Sequence, residues 1–227
     1  MKIFNNFIDL NIKKDMGITG ITDEFFCVYL NNLFEKYNKN ILVVVDTLNE
    51  ANILYSSLSE INDNVLLFPM DDFLTSEALA ISPDLELNRL STLEDSLNSK
   101  HIVICNLMGY LRYLPNVNTY KNSFISLKKG DQIDLDEFKE KLYSLGYKRD
   151  SIVNNTGEMA LRGFIVDLFP LEFDNPVRLE FFGDEIDSIR FFDAETQLSI
   201  EDIDNIVIKP CTEFITFSTV ENSNFSF

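Results

Sequence analysis

Two arginines and one phenylalanine stand where neighbouring strands would expose them on one surface. The run from Val177 to Asp193 holds two β-rich segments around Gly183-Asp184, a pair typical of a tight hairpin turn. Side chains alternate between the two faces of a strand, so the residues of the first segment separate into two sets. The apolar face carries Val177, Leu179 and Phe181. The other face carries Arg178, Glu180 and Phe182.

The mixed face predicts a protein-binding surface. Arg162 opens the preceding predicted strand, Phe164 to Phe169, and adds a second arginine to this region. Arginine and aromatic residues are enriched among interface hot spots, where truncating one side chain typically costs roughly 2 kcal/mol or more. An alternative stays open on the pattern alone. In it, Phe182 lies under a helix and the arginines only solvate the sheet.

A second stretch has the glycines of a phosphate-binding loop without its chemistry. Such a loop needs glycine-rich backbone donors, then lysine on the phosphates and a hydroxyl on Mg²⁺. Three residues keep the pattern GxTGxGKT: Gly17, Thr19 and Gly20. The lysine and hydroxyl positions carry Asp23 and Glu24, whose carboxylates would repel a triphosphate although the helix dipole favours them there. The pattern predicts a degenerate nucleotide site. A turn that never bound nucleotide remains the alternative.

The composition restricts the classes of partner. The chain has 227 residues, a net charge of −18, 45% hydrophobic and 25% charged residues, as in ordinary globular proteins. An acidic surface repels nucleic-acid phosphates and acidic membranes, although a local basic patch is not excluded. The three cysteines are far apart in sequence, which is typical of reduced thiols in a cytosolic protein: Cys27, Cys105 and Cys211. His101 is the only histidine, which disfavours a Ser-His-Asp triad and favours a structural role.

The first half of the chain alternates helices and strands, which predicts an α/β layer with a mostly parallel sheet. We expect helices over 23–37, 49–61, an interval starting at Ser82-Pro83, and 108–114. We expect buried strands over 41–45, 65–68 and 102–105. No apolar run is long enough to cross a bilayer, and the N-terminus does not have the pattern of a secretory signal.

The pattern changes at a polar stretch, 116–122. A strand over 124–127, a helix from 134 or 135 to 145 capped by Gly146, the hairpin and a strand over 203–208 predict an α+β unit. The predicted domains are 1–119, 120–209 and a segment 210–227 that is either frayed or the start of further structure.

Three blocks carry a resemblance to a known family: SPDLELNRLSTL at 82–93, GEMALRGFIVDLFP at 157–170 and VRLEFFGDEIDSIRFFDAETQ at 177–197. Together with GITG at 17–20 and KPCTEF at 209–214, they resemble the UvrB-like N-terminal module of the bacterial transcription-repair coupling factors, the Mfd family. UvrB shares the second and third blocks. UvrB differs from this chain because it keeps an intact P-loop and a long aromatic hairpin. In this chain the corresponding segment, Met70 to Ser82, is too short for such a hairpin and lacks tyrosines.

The resemblance implies a fold and a role. The fold is a P-loop-NTPase-like parallel-sheet domain, similar to the RecA-like domain 1a of UvrB, with an inserted α+β domain similar to UvrB domain 2. The role is a non-catalytic module that docks UvrA and recruits nucleotide excision repair to stalled RNA polymerase. This chain is expected to be the front segment of a longer, ATP-dependent DNA translocase. ATP and Mg²⁺ would bind elsewhere in that parent protein, and no cofactor is expected in this segment. The alternative is a UvrB-like subunit that binds damaged DNA or acts as an ATP-dependent helicase.

The family's UvrA contacts fall on residues that alternation had already selected. They are Arg162, Arg178 and Phe182, with Glu180 and Arg190 as flanking residues. The resemblance also implies that RNA polymerase and DNA bind other parts of the parent. A C-terminal domain of that parent would mask this surface, so the isolated segment is expected to bind UvrA constitutively.

Overall fold

The computed structural model describes residues 10–72 and 83–215. Most of the segment Met70 to Ser82, the serine of Ser82-Pro83 and most of the predicted tail 210–227 therefore lie outside the described residues. The chain divides into two compact units between Tyr113 and Leu114. Both parallel and antiparallel sheets are present, as expected of a mixed α/β protein. Within the described ranges, no helix is both long and apolar enough to cross a membrane.

The first unit is a small parallel α/β layer. Its elements are α1 (Asp23–Tyr37), β1 (Ile41–Val45), α2 (Leu48–Ser59), β2 (Val65–Phe68), α3 (Pro83–Asn98), β3 (Ile102–Asn106) and α4 (Leu107–Tyr110). The strands pair in the parallel order β1-β3-β2. Buried residues of α1 and α2 pack against all three strands. The predicted parallel sheet is therefore confirmed.

The start of α1 follows its capping chemistry. Thr22 is the N-cap residue, and its hydroxyl accepts a hydrogen bond from the Phe25 backbone N–H at 3.4 Å. Asp23 and Glu24 occupy the first turn, where the helix dipole favours negative charge. The last turn carries Lys36 and ends at Asn38, which has a left-handed φ of 48°.

The second unit is an α+β domain. Its elements are α5 (Val117–Asn122), β4 (Ile125–Lys128), α6 (Leu135–Ser144), β5 (Lys148–Arg149), β6 (Glu158–Arg162), β7 (Ile165–Leu168), β8 (Val177–Phe182), β9 (Glu185–Phe192), β10 (Ser199–Ile203) and β11 (Asn205–Ile208). Six strands form one sheet in the order β10-β9-β8-β7-β6-β5, in which only β5 and β6 run parallel. The strands β11 and β4 form a separate antiparallel pair.

The core of this unit lies between the six-stranded sheet and α6. Inward-facing Val177, Leu179 and Phe181 of β8 are buried, which confirms the predicted apolar face. The ring of Phe181 lies 6.1 Å from the ring of Phe138 on α6. Helix α6 therefore covers one face of the sheet, and the face with Arg178 and Phe182 is the other one.

Some element boundaries differ from the sequence prediction. No element was predicted in the polar stretch 116–122, but it contains α5, because Asn116 caps it by accepting a hydrogen bond from the Thr119 N–H at 2.9 Å. The short helix expected over 108–114 is the single turn α4, which ends at Tyr110. Residues after the expected domain end at 209 also pack on the second unit: the Cys211 N–H donates to the Leu145 carbonyl at 2.7 Å.

Candidate protein-binding site

Two neighbouring hairpins position the candidate residues. The first joins β6 to β7 through Gly163-Phe164, and the second joins β8 to β9 through Gly183-Asp184, which confirms the predicted hairpin. Both glycines have a positive φ, 61° at Gly163 and 63° at Gly183. Because Ile165 at the start of β7 pairs with Glu180 near the end of β8, both tips lie at the same end of the sheet.

Phe182 projects from the face opposite α6 at the end of β8. Its exposed fraction is 85%, whereas the preceding Phe181 is 6% exposed and packs in the core. The interpretation in which Phe182 lies under a helix is therefore wrong. A large apolar ring in water is the kind of group that an interface covers.

The two predicted arginines meet on one buried carboxylate. Asp167 of β7 is paired in register with Arg178 of β8 and lies completely buried. The Arg178 Nε and Nη2 atoms donate to its two oxygens at 2.7 and 3.0 Å. Arg162 of β6 donates to the same carboxylate through Nη2. Both guanidinium groups are thus held on the outer face of the sheet, next to each other.

Exposure distinguishes the two arginines. The Arg162 side chain is 46% exposed, whereas that of Arg178 is 14% exposed. Arg178 also lies with its guanidinium carbon 4.4 Å from the centre of the Phe192 ring, a cation–π contact. Hydrogen bonding to Asp167 is the main cause that raises the pKa of the Arg178 guanidinium. Arg162 is the guanidinium that offers more free surface to a partner.

The flanking residues form a second ion pair on the same face. Arg190 of β9 donates to the Glu180 carboxylate of β8, and the Ser188 hydroxyl donates to its other oxygen at 3.0 Å. Glu180 and Arg190 therefore neutralise each other beside the Asp167 cluster. They lie on the predicted face and pair with each other within the sheet, while the buried Nε of Arg190 has no hydrogen-bond partner among the described residues.

The loop between β9 and β10 holds a further polar group against this cluster. Asp193 accepts hydrogen bonds from the Thr196 hydroxyl and backbone N–H, both at 2.7 Å, and these bonds lower the pKa of Asp193. Gln197 of the same loop accepts, through its side-chain oxygen, a hydrogen bond from Arg178 Nη2 at 3.3 Å. Arg178 is therefore held from two sides.

Sequence reasoning missed two residues of this region. Asp167 was not selected, although it is the only charged residue of the apolar run Phe164–Pro170 and thus the only acid of β7. The pattern predicts Phe164 as the first residue of a strand, but it lies in the turn before β7 and is 58% exposed. For Asp167, the available signal was an isolated acid in an apolar strand. For Phe164, the available signal was the neighbouring Gly163, which is typical of a turn.

The stretch predicted to be a degenerate phosphate-binding loop lies in the first unit. All five candidate residues are exposed: Gly17, Thr19, Gly20, Asp23 and Glu24. Residues 10–22 contain no strand, so within the described part of the chain α1 is not preceded by one. Gly20 has a positive φ of 78°, and no atom outside its immediate neighbours lies within 4 Å of the Cβ it lacks.

Other groups that carry chemistry are dispersed. Across residues 10–72 and 83–215, no cluster of histidine, cysteine and carboxylate side chains has the geometry of a metal site. The cysteines are free thiols, and burial raises the pKa of Cys27 and Cys105. His101 is buried, with its two ring nitrogens 3.1 and 3.2 Å from the carbonyl and hydroxyl of Ser99. These contacts fit the structural role expected of it.

Comparison with known proteins assigns a class to the second unit. Residues 125–214 match the family model described as the UvrB interaction domain. This range covers both hairpins, α6 and all of the candidate contact residues.

The chain as a whole is similar to larger proteins. It is 34% identical over 217 residues to the transcription-repair-coupling factors of Staphylococcus aureus strains RF122 and MRSA252, and 33% identical to that of Staphylococcus haemolyticus. These matches cover 93 to 94% of this chain and 18% of each relative. The predicted resemblance to the N-terminal UvrB-like region of transcription-repair coupling factors is confirmed.

Proposed function

We propose that this chain is a non-catalytic protein-binding module of a transcription-repair coupling factor, and that it docks UvrA to bring nucleotide excision repair to stalled RNA polymerase. The similarity to transcription-repair-coupling factors supports the pathway. The match of residues 125–214 to the UvrB interaction domain supports a docking role for the second unit.

One observation carries the proposed contact surface. The ring of Phe182 is almost fully exposed, on the sheet face where Arg162 and Arg178 share the Asp167 carboxylate. An interface of this kind gains energy from burying the ring and from charge-assisted bonds to the exposed part of Arg162. Because Asp167 already fixes both guanidinium groups, little side-chain entropy is lost on binding.

The hairpin tip that carries Phe182 is braced by its neighbours. The Ile133 N–H donates to the Asp184 carbonyl at 2.7 Å, and the Gly130 N–H donates to the Ile186 carbonyl at 2.8 Å. The Gln132 side chain also donates to Glu185 at 2.9 Å. A tip with these contacts holds Phe182 in a fixed position before a partner arrives, which favours docking without rearrangement.

Binding of purified UvrA by this chain tests the proposal. We expect Phe182→Ala and Arg162→Ala each to weaken the complex by about 10-fold or more, because each removes a side chain that the partner would bury. Leu198→Ala is the matched control: Leu198 is also an exposed apolar residue of this unit, but it lies at the opposite end of the sheet. Equal binding by wild type and Phe182→Ala would refute the proposed surface.

The first unit is proposed to be a P-loop-NTPase-like domain, related to domain 1a of UvrB, whose nucleotide site is lost. Two observations support this relation: the parallel order β1-β3-β2 and the glycine-containing loop directly before α1. Asp23 and Glu24 place two exposed carboxylates where the lysine and hydroxyl of a P-loop would be. ATP and Mg²⁺ are accordingly assigned to a translocase motor elsewhere in the longer parent protein.

The domain limits and the remaining partners are part of the same proposal. We assign residues 1–119 to the degenerate α/β domain, 120–209 to the UvrA-binding domain, and 210–227 to a returning segment or tail. RNA polymerase and DNA would bind other regions of the parent. A C-terminal domain of that parent would cover the Phe182 surface in the resting protein.

A further inference from the structure

We infer that Phe164 is a second aromatic anchor of the UvrA-docking surface, so that the partner covers two adjacent hairpin tips rather than one. This inference rests on the proposed function. It concerns a residue outside the set Arg162, Arg178 and Phe182, and its support comes from the geometry of the β6–β7 turn.

The two tips differ at the second residue of the turn, where the turn geometry does not require an aromatic side chain. Each is a two-residue loop whose first residue is a glycine with positive φ, and the second residue has a negative φ, as in a type II′ turn. The second residue is Asp184 in one tip and Phe164 in the other. Turn positions favour small polar residues, so Asp184 suits its turn whereas turn geometry does not explain Phe164.

Phe164 is close to Phe182 in the register of the sheet. Its carbonyl accepts a hydrogen bond of 2.8 Å from the backbone N–H of Phe181, the residue next to Phe182. The β7–β8 pairing continues from this bond through Ile165 opposite Glu180. This bond sets Phe164 opposite Phe181, so the backbone pairing holds Phe164 and Phe182 on adjacent tips at the same end of the sheet, with Phe164 on the side of Phe181.

Exposure of both rings points to a shared partner. Phe164 is 58% exposed and Phe182 is 85% exposed. Within the described part of the second unit, three phenylalanines are strongly exposed, and two of them occupy these adjacent tips. Exposed aromatic rings on two adjacent tips are typical of a binding surface that a partner covers from the end of the sheet, and each ring is unfavourable when left in water.

The charges around the two hairpin tips define the chemistry of the partner. Asp184, Glu185 and Asp187 are exposed and give one side of the tips a negative rim. Arg162, at the start of the β6–β7 turn, gives the other side a half-exposed guanidinium. The matching surface on UvrA would be a groove that receives both tips, with apolar contacts for each ring, basic groups at one end and a carboxylate at the other.

Calorimetric titration of UvrA with Phe164 variants tests this inference. We expect Phe164→Ala to weaken binding about 10-fold or more, and Phe164→Asp to weaken it further by placing a charge in an apolar pocket. Phe164→Asp also copies the Gly183-Asp184 tip, so the hairpin is expected to fold, and an unchanged melting temperature will verify this. Phe182→Ala and Leu198→Ala serve as the positive and negative controls.

The outcomes separate the inference from the proposed function. Weaker binding by both Phe164 variants at unchanged melting temperature supports the second anchor. Wild-type affinity of both Phe164 variants, alongside weak binding by Phe182→Ala, overturns the second anchor and leaves the proposed function standing. If the wild-type chain itself does not bind UvrA, the proposed function and this inference both fall.

Discussion

The buried carboxylate of Asp167 organises the outer face of the six-stranded sheet. A charge removed from water is stable only when it is paired and hydrogen-bonded, and Asp167 is paired with Arg178 and Arg162 from the strands on either side of β7. The same pairing orients the two guanidinium groups that the docking proposal requires. One acid therefore links the stability of this unit to the geometry of its candidate site.

Replacing Asp167 with asparagine is expected to destabilise the second unit by about 3 kcal/mol. The substitution keeps the shape of the side chain but leaves the mostly buried charge of Arg178 without its counter-ion, next to a second arginine. Chemical denaturation that monitors this unit would measure the change as a lower midpoint.

An exposed acid of the same sheet provides the control for this substitution. Asp187 lies on β9 and is exposed, so Asp187→Asn is expected to change the free energy of unfolding by no more than about 0.5 kcal/mol. Similar denaturation midpoints for wild type and Asp167→Asn would show that the buried ion pairs do not stabilise the domain.

At the scale of elements, short-range rules account for where helices and hairpins end. Helix α6 finishes in a Schellman motif: the Gly146 N–H donates to the Tyr143 carbonyl at 3.0 Å, and the Tyr147 N–H donates to the Leu142 carbonyl at 3.2 Å. Gly146 has a φ of 88°, as its predicted capping role requires. The motif also brings the chain next to Thr212, which packs against the glycine.

Gly146→Ala is expected to destabilise the second unit more than Gly183→Ala. Both glycines have a positive φ, which costs an alanine roughly 1 kcal/mol. A Cβ at position 146 would also lie 2.6 Å from the Cβ of Thr212, whereas a Cβ at position 183 has no neighbour within 4 Å. We therefore expect about 2 kcal/mol or more for Gly146→Ala, measured as the free energy of unfolding.

The smaller cost at Gly183 serves as the internal reference. It isolates the backbone penalty in a hairpin with the same sign of φ and open space around the turn. If the two alanine variants lose the same stability, Thr212 must move aside freely, and the packing of residues 210–213 on α6 contributes little.

At the scale of the whole molecule, negative charge dominates this chain. The net charge of −18 disfavours contact with phosphate groups, and two exposed acids begin α1 beside the glycine-containing loop. The local arginine cluster does not alter this balance, because Asp167 and Glu180 pair with three of its guanidinium groups.

ATP with Mg²⁺ is expected to leave the melting temperature of this chain unchanged. A ligand that binds only the native state at 100 times its dissociation constant stabilises it by about 2.7 kcal/mol, which would be visible in a thermal melt. Exposed carboxylates at positions 23 and 24 would repel the triphosphate instead.

A variant with Asp23→Asn and Glu24→Gln identifies the origin of any shift. It removes both negative charges while keeping the polar character of the first turn of α1. A clear rise in melting temperature of the wild-type chain with ATP would favour the alternative of an ATP-dependent subunit. If the rise in melting temperature then differs in size between the double variant and the wild-type chain, the nucleotide site lies at this loop.

The sequence by itself determined the local features of this protein. Alternation along β8 separated Phe181 from Phe182, Thr22 started α1, and Gly146 ended α6, because each depends on residues within a few positions of one another. The resemblance of the three blocks at 82–93, 157–170 and 177–197 pointed to the transcription-repair coupling factors. These signals are short-range, and they need no knowledge of which strands become neighbours.

Only the tertiary structure decided how the candidate site is assembled. It brought Arg162, Asp167 and Arg178 together from three strands and put the two tips that carry Phe164 and Phe182 at the same end of the sheet. These contacts depend on strand order and register, which are set by burial of the whole apolar face against α6. A local pattern does not encode that pairing, so the carboxylate that holds both arginines became visible only in the folded domain.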